Sequence, residues 1–286
     1  MPHPTQPQIL TRVFRLAASP LSPQSDSANG LVSGQAVAGI AAIGELEIRV
    51  FGSIGESGYL VDITVLDWAL RQTAPARFRE ALLAELESGQ PTPVAPLLRM
   101  IAREAQEHVS APVAELAYRP SPHRSITVAL DGAPPTASEE TMLSHADASA
   151  QRALLTETFE FAASHRLHLP SWSDEENRAR FGKCNNPNGH GHNYRIEVAV
   201  AVEQDATLDF ALIGAVVQRE IMARFDHKHL NLDCPEFREL NPSVENIARV
   251  SFELLAPAFA PHRGDLRWVR VWETEKTSCR YPAPRA

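Results

Sequence analysis

The clearest pattern along the chain is an alternation of apolar and polar positions in its second half. Tyr194, Ile196, Val198, Val200 and Val202 share one phase, with Arg195, Glu197 and Glu203 in the other. Side chains alternate across a strand, so residues 194–202 read as a strand with one buried face. A looser alternation over 156–164 predicts a second strand, with Phe159 and Phe161 on one face. From 210 to 225 the period lengthens: Leu212, Val216, Val217, Ile221 and Phe225 fall on one side of a helix. Another helix opens near Asn241-Pro242-Ser243, where a cap-type residue and a Pro at a first-turn position agree. It runs through Ile247, Val250, Leu254 and Leu255 and stops at Pro257. Strands follow over 266–272 and near Tyr281. This order predicts an antiparallel sheet with a helix pair on one face, an α+β fold.

The first half repeats that order weakly. Arg12 to Ser19 (RVFRLAAS) echoes Glu157 to Ser164 (ETFEFAAS). The stretch from Leu46 to Arg71 echoes Tyr194 to Arg219, and Glu115 to Val128 echoes Arg270 to Tyr281. Between the halves, Asp131-Gly132 and Pro134-Pro135 are turn signals, and Ser138 before two Glu suits the cap of a short helix. The expected organisation is therefore one copy over 1–130, a linker over 131–150 and a second copy over 151–286.

Length agrees with two domains, since 286 residues is about twice an ordinary domain. With 44% hydrophobic and 22% charged residues the chain reads as globular rather than disordered or fibrous. Lys plus Arg is 27 and Asp plus Glu 35, giving a net charge of −8, which argues against a general nucleic-acid binder. The longest uncharged, apolar-leaning stretch, Leu31 to Gly44, has 14 residues including three Gly, too short to span about 30 Å of hydrocarbon. The N-terminus has no basic region followed by an apolar core, and three cysteines (Cys184, Cys234 and Cys279) do not form a disulfide framework. A cytoplasmic protein without membrane or nucleic-acid partners is expected.

Histidine supplies the candidate chemistry. Seven of the 11 histidines lie between His165 and His262. His190 and His192 are two apart, so on extended backbone both reach one metal ion, with Gly191 between them allowing close approach. His165 ends the preceding strand, and a hairpin would return it beside the pair. Three neutral imidazoles suit Zn²⁺ and leave a fourth position open, as catalytic sites do. Surface histidines in a Gly/Asn-rich loop are the simpler alternative for His190-Gly191-His192 alone. Cys184, six residues before His190, is a base or nucleophile if its pKa is lowered, or else a fourth ligand or a plain buried thiol. Asp226-His227 at a helix end is a proton-transfer pair or ordinary helix-terminal polarity, with His229 as the competing histidine. Glu273, before Thr274 at a strand end, can accept two parallel N–H bonds from a flat heterocycle, or is simply solvated. Cys234 and Cys279 read as structural.

Six segments, in order and spacing, resemble the 6-pyruvoyltetrahydropterin synthase family, which also contains 6-carboxytetrahydropterin synthase. They are FAASHRL from Phe161, FGKCNNPNGHGHNY from Phe181, LDF from Leu208, FDHKHLN from Phe225, PSVENIA from Pro242 and VWETE from Val271. The resemblance covers about 156–282, one family-length domain. It implies a T-fold that assembles into a homo-oligomeric ring whose sheets form a β-barrel. It also implies that His165, His190 and His192 hold zinc. Cys184 would abstract a proton with help from the Asp226–His227 pair, and Glu273 would anchor the pterin with Thr274 nearby. The implied substrate is 7,8-dihydroneopterin triphosphate. Its triphosphate needs local cations, for which Arg166, Arg180 and Lys183 are candidates by proximity in sequence.

The resemblance leaves two product branches. One gives 6-pyruvoyltetrahydropterin; the other gives 6-carboxytetrahydropterin and acetaldehyde, toward deazapurines such as queuosine. Five residues separate Cys184 from His190, a gap that looks more like the pyruvoyl branch. A non-catalytic zinc-stabilised pterin or purine binder, and a zinc hydrolase acting on a purine nucleotide, are the competing functions. The first half departs from the family: Pro20 stands where His165 would fall, Ser/Gly/Ala-rich sequence from Ser22 to Gly44 stands where the pair would be, and Pro120 stands roughly at the position of Glu273. It is expected to be a degenerate T-fold copy without a metal site.

Overall fold

The computed structural model describes residues 7–21, 41–55, 57–130, 143, 145–203 and 209–282. The chain divides into two compact units, with the boundary between Leu154 and Leu155. The expected linker lies mostly outside the described residues, as do Ser138 and Leu208; near its end a short helix, α3, occupies His145–Ser149.

The first unit runs β1 (Gln8–Ala18), β2 (Ala42–Gly52), α1 (Ile63–Ser88), α2 (Val94–Gln106), β3 (Val113–Ser121) and β4 (Arg124–Ala129), followed by α3. The strands pair antiparallel in sequence order. The even-numbered side chains Leu46, Ile48 and Val50 of β2 and Leu116 of β3 are fully buried beneath the helix pair. Each such side chain contributes about 1.5–3 kcal/mol by leaving water. Asp62 caps α1 by accepting from Thr64, and Gly89 ends it in the left-handed conformation. The other sheet face carries charge. Arg49 bonds Glu47 at 2.6 Å and Glu115 at 2.8 Å, and Arg119 bonds Glu47 at 2.7 Å.

The second unit repeats the order with β5 (Ala153–His165), α4 (Asp174–Phe181), a 3₁₀ turn (Gly182–Asn185), β6 (His190–Val202), a helix pair, β8 (Gly264–Thr274) and β9 (Thr277–Tyr281). Its sheet order is β5-β6-β8-β9; β6, β8 and β9 pair antiparallel, and the two-residue β7 (Lys228–His229) runs parallel to β5. The fold is α+β with a mainly antiparallel sheet, as the periodicities indicate. No helix among the described residues is long and apolar enough to cross a membrane.

Four details differ from the expectation. The first helix of the pair is α5 (Phe210–Val217), a π-turn (Gln218–Met222) and α6 (Ala223–Phe225), with Val217, Ile221, Met222 and Phe225 all buried. The short α7 (Leu230–Asp233) follows β7. Pro242 lies outside the second helix, α8 (Val244–Phe259), which Ser243 caps by accepting from Asn246. Pro257 does not stop α8 but sits in its last turn. The core between sheet and helices holds Phe161, Tyr194, Phe225, Phe237, Ile247, Leu255 and Phe259.

Candidate functional site

The site is the continuation of the core. On β6 one face reads Val200, Val198, Ile196, Tyr194, His192, His190, so a single period-2 stripe passes from aliphatic to aromatic to imidazole at the strand's start. On β5 the same face reads Phe161, Ala163, His165, and on β8 it reads Val269, Val271, Glu273. Three neighbouring strands thus bring polar groups to one end of the sheet, on the face the helices cover. The histidine pair lies on a strand, not in a loop.

One ligand atom from each of His165, His190, His192 and Glu273 lies within 4.8 Å of all the others. His165 Nε2 is 3.1 Å from His190 Nε2 and 3.2 Å from Glu273 Oε1; His192 Nε2 is 3.4 Å from the same oxygen. Donor atoms about 2.0–2.1 Å from a tetrahedral ion stand roughly 3.4 Å apart, so these spacings suit one. The proton count agrees. His165 Nδ1 lies 2.7 Å from the carbonyl oxygen of Pro242, which only accepts, so Nδ1 carries the hydrogen and Nε2 turns a lone pair to the cluster. Lone pairs of imidazoles and a carboxylate facing one another call for a cation. The Pro242 carbonyl is the outer partner that fixes a metal-binding imidazole's tautomer and angle. Burial and neighbouring imidazoles push His190 down from the ordinary histidine range, and burial also lowers His192. Its contact with His165 first, and with His192 and His190 after it, holds the Glu273 carboxyl below the usual range.

Glycine's importance falls at a different position from the one expected. A Cβ at Gly191 would make only an ordinary 3.5 Å contact with Ala163. At Gly189, φ is +72° and a Cβ would stand 2.7 Å from His229 Nε2 and 3.0 Å from the His165 carbonyl oxygen. Gly189 is the residue that lets the chain enter β6 beside β5.

The segment after His165 is held by four asparagines. Asn231 accepts from Arg166 N and donates to its carbonyl; Asn185 donates to Leu167 O; Asn241 accepts from His168 N; Asn177 accepts from Leu169 N and donates to its carbonyl. Leu167 N also donates to the Cys184 carbonyl, which ties the thiol-bearing turn to this segment. The Cys184 side chain is half-buried and forms no disulfide.

A cleft of about 470 Å³ opens beside the cluster, lined by His192, Asn193, His227, Lys228 and His229 together with Ala162 to Ser164. His227 stands at its rim with its side chain 82% exposed, Nδ1 3.0 Å from Asp226 Oδ1, and φ at +57°. A non-glycine residue in that conformation is strained, and such strain gathers at functional positions. It is held by its N–H bond to the Ala162 carbonyl. Asp226 accepts in turn from Ala162 N, which, with His227, keeps its carboxyl below the usual range.

Of the expected residues, His165, His190, His192 and Glu273 meet in one cluster, and Asp226 and His227 meet at the cleft. Thr274 is exposed, and its hydroxyl accepts from Lys276 N in the β8–β9 turn rather than facing the cluster. Arg166 is engaged by Asn185, while Arg180 and Lys183 are exposed; none of the three lines the cleft, whereas Lys228 does. Cys234 is structural as expected: it is buried, donates to the Arg224 carbonyl, and burial pushes its thiol up to about 11. Sequence reasoning missed Tyr194. Its side chain is fully buried and its hydroxyl has no hydrogen-bond partner. Leaving such a group unpaired costs about 1–3 kcal/mol. Burial first, then the charges of Glu273 and Cys184, push its phenol upward.

The second unit resembles known proteins in sequence. The family model for 6-pyruvoyl tetrahydropterin synthase matches residues 154–284. The Homo sapiens 6-pyruvoyl tetrahydrobiopterin synthase is 39% identical over 128 residues, 43% of this chain and 87% of that protein. The Drosophila melanogaster protein of the same name is 36% identical over 141 residues, 46% of this chain and 80% of its own length. Among solved structures, Caenorhabditis elegans 6-pyruvoyl tetrahydropterin synthase is 34% identical, covering 46% of this chain and 96% of that one, with a TM-score of 0.43. With a relative this similar matched over most of its length, the chain belongs to the 6-pyruvoyl tetrahydropterin synthase family, a family of lyases.

Proposed function

We propose that this chain is a zinc-dependent lyase that acts on 7,8-dihydroneopterin triphosphate, releases triphosphate and forms 6-pyruvoyltetrahydropterin. The observation that carries the reading is the quartet of donor atoms within 4.8 Å, next to a cleft rimmed by an Asp–His pair. His165, His190 and His192 hold the ion. Zinc bound there supplies a Lewis acid that acidifies the carbons next to substrate hydroxyls. Cys184 removes a proton from carbon, and His227, oriented by Asp226, exchanges a proton with oxygen. The Glu273 carboxylate, held ionised, takes the amidine-like edge of the pterin, with Thr274 adjacent in the chain. Lys228 is the cation in the cleft suited to the triphosphate.

The gap of five residues between Cys184 and His190, and relatives named for the pyruvoyl product, favour that product over 6-carboxytetrahydropterin. The first unit is a degenerate T-fold copy that has lost the metal site. It repeats the strand, strand, helix, helix, strand, strand order, and among the described residues its donors form no such cluster. The chain forms a cytoplasmic homo-oligomeric ring.

The test is mass spectrometry of the products after zinc-loaded protein meets 7,8-dihydroneopterin triphosphate. Triphosphate with a pterin of pyruvoyl mass is expected; intact substrate from metal-replete protein rejects the lyase. Cys184→Ala should keep the metal and lose turnover, whereas loss of the metal would make Cys184 a ligand instead.

A further inference from the structure

The second unit's sheet has another face, turned away from the helices and from the imidazole cluster. It carries Arg195 and Glu197 of β6, Trp268, Arg270 and Trp272 of β8, and Ser278 and Arg280 of β9. The strand register arranges them in rows. Arg195 stands opposite Trp272, and Trp272 opposite Ser278; in the next row Glu197 stands opposite Arg270, and Arg270 opposite Arg280. Each of the three guanidiniums lies on an indole. Arg195 and Arg270 sit 4.4 and 4.6 Å from the Trp272 ring centroid, and Arg280 sits 4.0 Å from that of Trp268. A guanidinium stacked by its flat face is held in place and presents its N–H edge to an oxyanion. The carboxylates nearby do not neutralise this group. Glu197 accepts from Trp268 Nε1 at 2.9 Å. Arg270 donates from Nε and Nη2 to Ser278 Oγ, a neutral acceptor, at 3.3 and 3.1 Å. Among the described residues neither Arg195 nor Arg270 forms an ion pair, and Glu160, exposed on the same face of β5, reaches neither. Like charges directly opposite on neighbouring strands are destabilising, so Arg270 against Arg280 is a cost that a bound anion offsets. In a chain of net charge −8 this is a local cationic patch.

We propose that this open face binds an oligophosphate, a small anion with charge on more than one phosphoryl group. A single carboxylate occupies one guanidinium fork. The arginines here lie in two rows, and side chains two apart on a strand stand roughly 7 Å apart, so a longer anion engages both. A nucleobase would have to compete with the guanidiniums for the indoles, so the phosphate chain is the part recognised. The proposal does not depend on the lyase reading, because it uses none of the residues of the cluster or the cleft.

Calorimetric titration of the full chain with inorganic triphosphate at low ionic strength tests it. One anion per chain is expected, with affinity that falls as salt rises. Arg195→Gln and Arg270→Gln should each raise Kd about tenfold, the loss of one charge-assisted bond, while Lys228→Ala leaves Kd unchanged. Should either glutamine variant fail to fold, Arg270→Lys keeps the charge and loses the fork; a severalfold higher Kd at an unchanged melting temperature supports the proposal, and an unchanged Kd overturns it. No binding to the parent chain, or equal Kd in the parent and both glutamine variants, overturns it as well. Binding that disappears with a chelator, or that Lys228→Ala abolishes, puts the anion in the cleft and overturns it. Displacement by sulfate at equal concentration shows a surface for any anion, and tighter binding of a single-stranded RNA oligomer replaces the small anion with nucleic acid; both reject the oligophosphate. None of these readouts involves turnover, so the lyase reading stands or falls separately.

Discussion

The two units follow one order of elements yet finish the same end of the sheet in different ways. In the second, the stripe on the helix-covered face ends in His165, His190, His192 and Glu273. In the first, it stays apolar: Phe14, Leu16 and Ala18 on β1 and Leu46 on β2 are all buried. At the position echoing His192 stands Gly44, and no larger residue fits, since a Cβ there would lie 2.5 Å from the Arg119 carbonyl oxygen and 2.7 Å from the Tyr118 ring. The first unit's buried charge, Glu47 with Arg49, Glu115 and Arg119, lies on the opposite face and is neutralised internally. A sheet end closed by apolar side chains is complete by itself. One closed by facing lone pairs has the donors to hold a cation, and a cation bound there would add to the second unit's stability.

This contrast can be broken most forcefully at the metal. His190→Ala should abolish bound zinc and turnover together, from one ion per chain to none, by elemental analysis. An ion that survives the substitution is held elsewhere, and the contrast fails. Next is Glu115→Ala in the first unit, which strips a buried partner from Arg49 and from Leu143 N. It should cost about 3–5 kcal/mol in denaturant unfolding while zinc content stays at one. Smaller effects come from a glycine pair, Gly44→Ala and Gly189→Ala, each costing about 1–3 kcal/mol by overpacking or strain. Only Gly189→Ala should weaken zinc binding in a chelator competition; equal weakening by both would mean the units do not act separately. At the bottom of the scale, Arg249→Ala removes an exposed pair with Glu253 on α8 and should change stability by about 0.5 kcal/mol or less. A larger change there would point to a covered surface.

How far the sequence revealed all this depends on the range of the interactions. Alternation located β6 and the helical period located α8, because burial of one face acts residue by residue along a single element. His190 and His192 were legible as a pair, since residues two apart on a strand share a face, whereas Glu273 was singled out by the family resemblance and its place beside the imidazoles was not foreseen. The Pro242 carbonyl that orients His165 was not, because a backbone acceptor has no residue-type signature. The four asparagines that bind residues 166–169 were invisible as a group: they come from four separate stretches, and Asn alone reads as turn chemistry. Gly191 drew attention by sitting inside the motif, while the steric demand lies at Gly189, set by a histidine from another part of the chain. The π-turn at 218–222 escaped because an inserted residue hardly disturbs a helical apolar pattern.

The clamp on the segment behind His165 has a kinetic consequence. Its partners lie 65 residues away at Asn231 and 73 at Asn241, and the imidazole itself is set by a carbonyl 77 residues away. Closing loops of that length is slow compared with forming any one helix or hairpin. The ion's pocket should therefore take shape later than the local helices and hairpins. In refolding, zinc capture followed with a chromophoric chelator should lag the recovery of helical signal, so that uptake of the ion marks a finished chain.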